Sequence, residues 1–135
     1  MRVYVDMVAD LLHVGHIRLI QRAQAYGDYL IVGIHSDKTC EGYKRKPVQS
    51  MEHRCEIISA IKGVDLVIPN AMLEPDDYYL KNLAVNVIVS CHENKEYHND
   101  INKFGDGEHW IEIVYLDRTP GISTTKTIEK IKNEY

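Results

Sequence analysis

The sequence predicts an α/β protein, a three-layer α/β/α sandwich built on a five-stranded, mostly parallel sheet. Two observations carry this expectation. Short apolar runs alternate along the chain with segments of helical periodicity. One of those runs, Tyr29-Leu30-Ile31-Val32-Gly33-Ile34, is continuous, as in strands buried on both faces of a parallel sheet. Parallel neighbours then require right-handed crossovers.

The first strand is Val3 to Val8. Gly15-His16 enters a helix with apolar positions Ile17, Ile20, Ala23 and Ala25, and Gly27-Asp28 ends it. After the Tyr29 to Ile34 strand, Ser50 with Glu52 in the first turn marks a helix start. Ile57, Ile58 and Ile61 carry that helix's inner face to a Gly63 stop. Val64 to Ile68 is the third strand. Pro75 and two aspartates open a short helix through Leu83. Val85 to Val89 and Trp110 to Leu116 are the fourth and fifth strands, and Ser123 to Asn133 is the closing helix. Asp37 to Gln49 and His92 to Glu108 are expected to be irregular loops. Both leave the carboxyl ends of strands, where open parallel sheets bind ligands.

A chain of 135 residues with 44% hydrophobic content can bury one core, and we expect a single domain over residues 1–135. A net charge of -4 argues against nucleic acid as a partner, because phosphate-backbone binding needs a basic face. The apolar run at the amino terminus breaks at Asp6, and no run approaches the roughly 18 apolar residues of a membrane-spanning helix. A soluble cytosolic protein with no membrane partner is the expectation. Cys40, Cys55 and Cys91 are widely spaced, which fits reduced thiols, with Cys55 and Cys91 expected to be buried.

Two motifs carry chemistry. Asp10-Leu11-Leu12-His13-Val14-Gly15-His16 sets two histidines where the first strand gives way to the first helix. Gly15 lets the backbone approach a ligand, and the free amides of a helix start favour an anion. Two imidazoles there can donate hydrogen bonds to the oxygens of a phosphate passing through a five-coordinate state. The alternatives are a capping or core role for His13 with a surface His16, or a metal pair, for which no local ligand completes the usual zinc spacing. Arg118-Thr119-Pro120-Gly121-Ile122-Ser123-Thr124-Thr125 joins the last strand to the last helix. Backbone amides and three hydroxyls at a helix start can converge on phosphate oxygens while Arg118 adds charge. The alternative is that Ser123 or Thr124 caps the helix and Pro-Gly makes the turn.

The pairing of H-x-G-H with R-T-x-G-I-S-T-T resembles the cytidylyltransferases of the H-x-G-H nucleotidyltransferase superfamily nearly end to end. In length the chain resembles the compact bacterial glycerol-3-phosphate enzymes, from whose second motif it differs at Pro120. Tyr29 to Asp37 is similar to phosphoethanolamine cytidylyltransferases, and Met7 to Leu11 with Tyr43 to Pro47 to the cytidylyltransferase domains of phosphonate-forming enzymes. Three positions depart from relatives. Met7-Val8-Ala9 stands for G-T-F, His92-Glu93-Asn94 for a pair of acidic residues, and Lys62 for an arginine.

The resemblance implies a Rossmann-like fold and transfer of CMP from CTP to a small phosphorylated alcohol or amine, with release of pyrophosphate. Glycerol 3-phosphate and phosphoethanolamine lead; phosphocholine, another polyol phosphate and 2-aminoethylphosphonate remain open. It implies that His13, His16, Lys44 and Arg118 are catalytic, with Lys44 on a mobile loop. Asp10, Gly15, Lys46, Lys62, Glu93, Thr119, Gly121, Ile122, Ser123, Thr124 and Thr125 would hold the nucleotide, and Asp37 and Arg54 would serve the acceptor. Mg²⁺ would arrive on the triphosphate with no protein ligand, and two chains would pair as a homodimer. An ATP-dependent adenylyltransferase of the same superfamily and a non-catalytic nucleotide-binding domain are the competing readings.

Overall fold

The computed structural model describes residues 1–91 and 111–135. Five strands, β1 (Arg2–Met7), β2 (Tyr29–Ile34), β3 (Leu66–Pro69), β4 (Val87–Ser90) and β5 (Glu112–Tyr115), form one sheet in the order β3-β2-β1-β4-β5. Every pairing is parallel, Val3 lying opposite Leu30 on one side and Val87 on the other. The strand order reverses between β1 and β4. Ligands in such sheets lie beyond the carboxyl ends of the strands at that reversal.

Alternation along β1 sends Val3, Val5 and Met7 to one face, where they pack with Ile20 of α1 (Val14–Gln24) and Ile58 of α3 (Met51–Ser59). Tyr4 faces the other way and packs with Ile31, Ile88 and Leu80 of α4 (Asp77–Asn82). Both faces are thus covered, which is why β1 and β2 read as nearly continuous apolar runs. The helix starts follow their caps: Ser50 accepts from the His53 amide at 3.3 Å, and Asp76 from Tyr79 at 2.8 Å. No described helix is long and apolar enough to cross a membrane.

Two expectations change, and a third cannot be compared. Asp37 to Gln49 is not wholly irregular, because Ser36 accepts from the Thr39 amide at 3.0 Å and starts the helix α2 (Asp37–Tyr43). Cys40, on that helix, is the fully buried cysteine, whereas Cys55 and Cys91 are only partly buried; all three are free. Trp110 and the His92 to Glu108 stretch, Glu93 included, lie outside the described residues.

Arg54 on α3 is wholly buried. Its guanidinium donates to the carbonyls of Gln49 at 3.0 Å, Val8 at 2.6 Å and His35 at 2.9 Å, and to the Asp37 carboxylate at 2.7 Å. It therefore ties β1, β2 and α2 together from beneath and presents no surface to an acceptor, unlike the sequence expectation. Asp37 is bound into the same arrangement, with part of its carboxylate still reaching solvent. Arg54→Ala leaves these acceptors without their donor. We expect a loss of about 3 kcal/mol in urea unfolding, and a variant as stable as the parent would remove Arg54 from this role.

Candidate active site

The turn after β1 is built around Asp10. Its flanking residues Ala9 and Leu11 take left-handed backbone conformations, φ 58° and 47°, which cost a side-chain-bearing residue about 1 kcal/mol or more each. Surrounding bonds hold them there. The buried Asp10 carboxylate accepts from the amides of Val48 at 2.8 Å and Gln49 at 2.9 Å and from Arg45 at 3.1 Å. The Leu11 amide donates to the Gln49 side chain at 2.9 Å, and Thr124 donates its hydroxyl to the Asp10 carbonyl at 2.7 Å. Burial alone would raise the Asp10 pKa, but these donors outweigh it and the net shift is downward.

His13 is the N-cap of α1, and the two histidines cap the helix reciprocally. His13 Nδ1 accepts from the Gly15 amide at 3.0 Å, and His16 Nδ1 accepts from the His13 amide at 3.1 Å. A Cβ on Gly15 would meet the His13 ring at 2.8 Å, so this folded-over imidazole requires glycine. Fewer α1 amides are open to an anion than the motif suggested: the rings take the amides of His13 and Gly15, and the His16 amide goes to the His13 carbonyl at 3.1 Å. Each Nδ1, as an acceptor, must be unprotonated, which leaves both rings as Nε2–H donors. They stack at 3.9 Å with 29° between planes.

Both imidazoles resist protonation. Burial lowers the His13 pKa, and burial followed by the His13 and Lys44 charges lowers His16 to about 4. Lys44 follows the end of α2 and is lowered by burial and then by Arg45 and Arg118. These mutual effects place His13, His16, Lys44 and Arg118 in one cluster of hydrogen-bond donors and positive charge.

The second motif meets the first through Ile122, which lies 3.4 Å from a Cβ placed on Gly15, and through the buried Thr124. Gly121 takes φ 78° in the connecting turn. Of the three hydroxyls, Ser123 caps the last helix, α5 (Thr124–Glu134), by accepting from Lys126 at 3.1 Å, and Thr124 is bonded to Asp10. Thr125 faces solvent. Arg118 and Thr119 line a groove of about 620 Å³ along α1, and Arg18 and Arg22 add two guanidiniums to it. Sequence reading passed over these two arginines, although their i, i+4 spacing puts them on one helix face.

Lys46 is exposed beyond Lys44. Lys62 stands apart from the cluster, in the turn before β3 at the amino end of the sheet, where its carbonyl accepts from Gln24. Turns from helix to strand fall at that end in a parallel sheet, so the chain itself separates Lys62 from the motifs. Among the described residues, no group of three His, Cys, Asp or Glu side chains could hold a metal ion, and the Asp10 carboxylate is already bonded.

A cytidylyltransferase-like family model matches residues 7–130. The chain belongs to that family. It is 39% identical over 122 residues to the glycerol-3-phosphate cytidylyltransferase of Bacillus subtilis (strain 168), covering 90% of each chain. It is 36% identical over 137 residues to the ethanolamine-phosphate cytidylyltransferase of Mus musculus, covering 96% of this chain and 32% of that one. A lipopolysaccharide core biosynthesis protein from Thermoplasma volcanium GSS1 shares the fold, with a TM-score of 0.78 at 23% identity over 88% of this chain and 98% of the other.

In this family member the depressed His16 pKa has a consequence for stability. From pH 6.5 down to about 4, the unfolded chain binds the proton that folded His16 refuses, so stability falls as the pH is lowered through that window. His16→Asn keeps an acceptor at the Nδ1 position and does not titrate. Between about pH 7 and pH 4.5, the Tm of the parent should fall further than that of the variant, by on the order of 5 °C. Parallel melting profiles for the two proteins would contradict the depressed pKa.

Proposed function

We propose that this chain transfers CMP from CTP to the phosphate of a small phosphorylated alcohol or amine, glycerol 3-phosphate or phosphoethanolamine first among them. The observation that carries this reading is the stacked histidine pair, locked as two neutral Nε2–H donors beside Lys44 and Arg118.

An acceptor phosphate oxygen attacks the α-phosphorus of CTP, the bond to the β-phosphate oxygen breaks, and pyrophosphate leaves with the electron pair. No protein nucleophile is needed. The two Nε2–H groups donate to the non-bridging α-oxygens, where negative charge gathers in the five-coordinate state. Lys44 and Arg118 add full positive charge, and the guanidiniums of Arg18 and Arg22 favour the anionic tail in the adjoining groove. Thr125 and the first amides of α5 face the same phosphates. Mg²⁺ carried by the triphosphate would shield the charge of the departing pyrophosphate. The cluster, rich in donors and with its carboxylate occupied, suits a metal that arrives on the nucleotide rather than one caged by side chains.

The homodimer implied by resemblance draws support from exposed Met72 and Leu73 just beyond the edge strand β3. Sedimentation should return twice the chain mass, and a monomer at micromolar concentration would end that proposal.

The functional test is pyrophosphate release from CTP and Mg²⁺ with a panel of phosphorylated alcohols and amines, using ATP as the control nucleotide. Turnover should require CTP and select one acceptor. His16→Asn and Arg118→Ala should each lower kcat/KM about 100-fold or more at nearly unchanged Tm at neutral pH. ATP-dependent turnover would transfer the reading to an adenylyltransferase, and normal rates in either variant would dismiss the assigned chemistry.

A further inference from the structure

A buried polar chain lies outside the two motifs. Tyr43, the last residue of α2, turns its hydroxyl inward to His35 Nδ1 at 3.0 Å, and His35 Nε2 meets the Asp6 carboxylate at 3.2 Å. His35 is 3% exposed, and its ring meets that of Tyr43 edge-on at 6.1 Å. The direction of the chain follows from its ends. An ionised carboxylate can only accept, so Nε2 carries the proton; in the neutral ring Nδ1 then accepts, and the tyrosine hydroxyl donates. Burial, with the nearby Cys40 and Asp6, pushes the Tyr43 pKa up to about 12, so the hydroxyl keeps its proton.

Apolar side chains could fill this space at lower cost, because buried polar groups are tolerated only when fully bonded. The position of the chain in the fold indicates what it does. Lys44 leaves the helix with φ -138° and ψ -84°. The residue before it is tied through His35 to Asp6 on β1, and the residue after it, Arg45, is tied to Asp10 beyond the end of β1. A helix of seven residues has little hold on its own last turn.

We propose that Asp6, His35 and Tyr43 are positioning residues that fix the backbone of Lys44 from one side, as Asp10 and Arg45 fix it from the other. The inference rests on the role assigned to Lys44 above. Held on both sides, Lys44 meets the transferring phosphate without first ordering its own backbone.

The test is a double-mutant cycle of Tyr43→Phe and Lys44→Ala, read as steady-state CMP transfer. The Phe variant keeps the half-exposed ring and should fold, with a Tm within a few degrees of the parent. It should lower kcat about tenfold while KM for CTP changes less than twofold. In the Lys44→Ala background it should cost nothing further. A Phe variant with parental kcat, or the same loss in both backgrounds, overturns the positioning role while leaving Lys44 catalytic. Parental turnover in Lys44→Ala alone overturns the reading of Lys44, and the proposal with it.

Discussion

The carboxylate of Asp10 is the interaction on which the site depends. It sits between two residues in left-handed conformations and gathers the amides of Val48 and Gln49 and the Arg45 guanidinium. Its own carbonyl receives the Thr124 hydroxyl. One residue thereby joins the end of β1, the segment after α2 and the start of α5. Those are the three pieces that bear His13, Lys44 and Arg118. Backbone strain of this kind persists only where surrounding bonds over-determine it, and here each neighbouring segment contributes at least one.

The electrostatics of the cluster divide the work between two kinds of group. Burial lowers the pKa of both imidazoles and capping occupies both Nδ1 atoms, so in the proposed reaction they would act as neutral Nε2–H donors. Charge comes from Lys44 and the arginines. Protonated rings would have to give up one backbone amide each, since Nδ1 could no longer accept. The capping arrangement and the proposed chemistry thus require the same tautomer. For His13, capping and function were competing interpretations of the motif; the fold shows the capping, and the proposed chemistry is compatible with it in the same side chain.

Much of this was legible in the residues. β2, α4 and α5 follow their apolar runs and caps to within a residue or two, and the placement of both motifs at carboxyl ends of strands came from local pattern alone. Other features were not legible. The start of α2 was signalled by Ser36 and Asp37, but the charges and Gly42 that follow obscured it. The cap that Ser123 makes was among the local alternatives, but nothing local reveals that the Thr124 hydroxyl crosses 114 positions to Asp10. Arg54 read as a residue serving the acceptor, since its burial depends on carbonyls from three separate segments.

By itself the sequence determined the alternation of strands and helices, the parallel sheet, and the two motifs with the phosphate chemistry they resemble. Those properties are set by periodicity, caps and glycine positions within a few residues of one another. Only the tertiary structure decided which polar groups remain available to a ligand. It committed Asp10, Arg54, Ser123 and Thr124 to internal bonds, set Lys62 at the far end of the sheet, fixed the histidine tautomer, and brought Arg18 and Arg22 to the groove beside Arg118. The physical reason is that a donor or acceptor is exhausted by its partner, and these partners lie too far away along the chain for local pattern to show them.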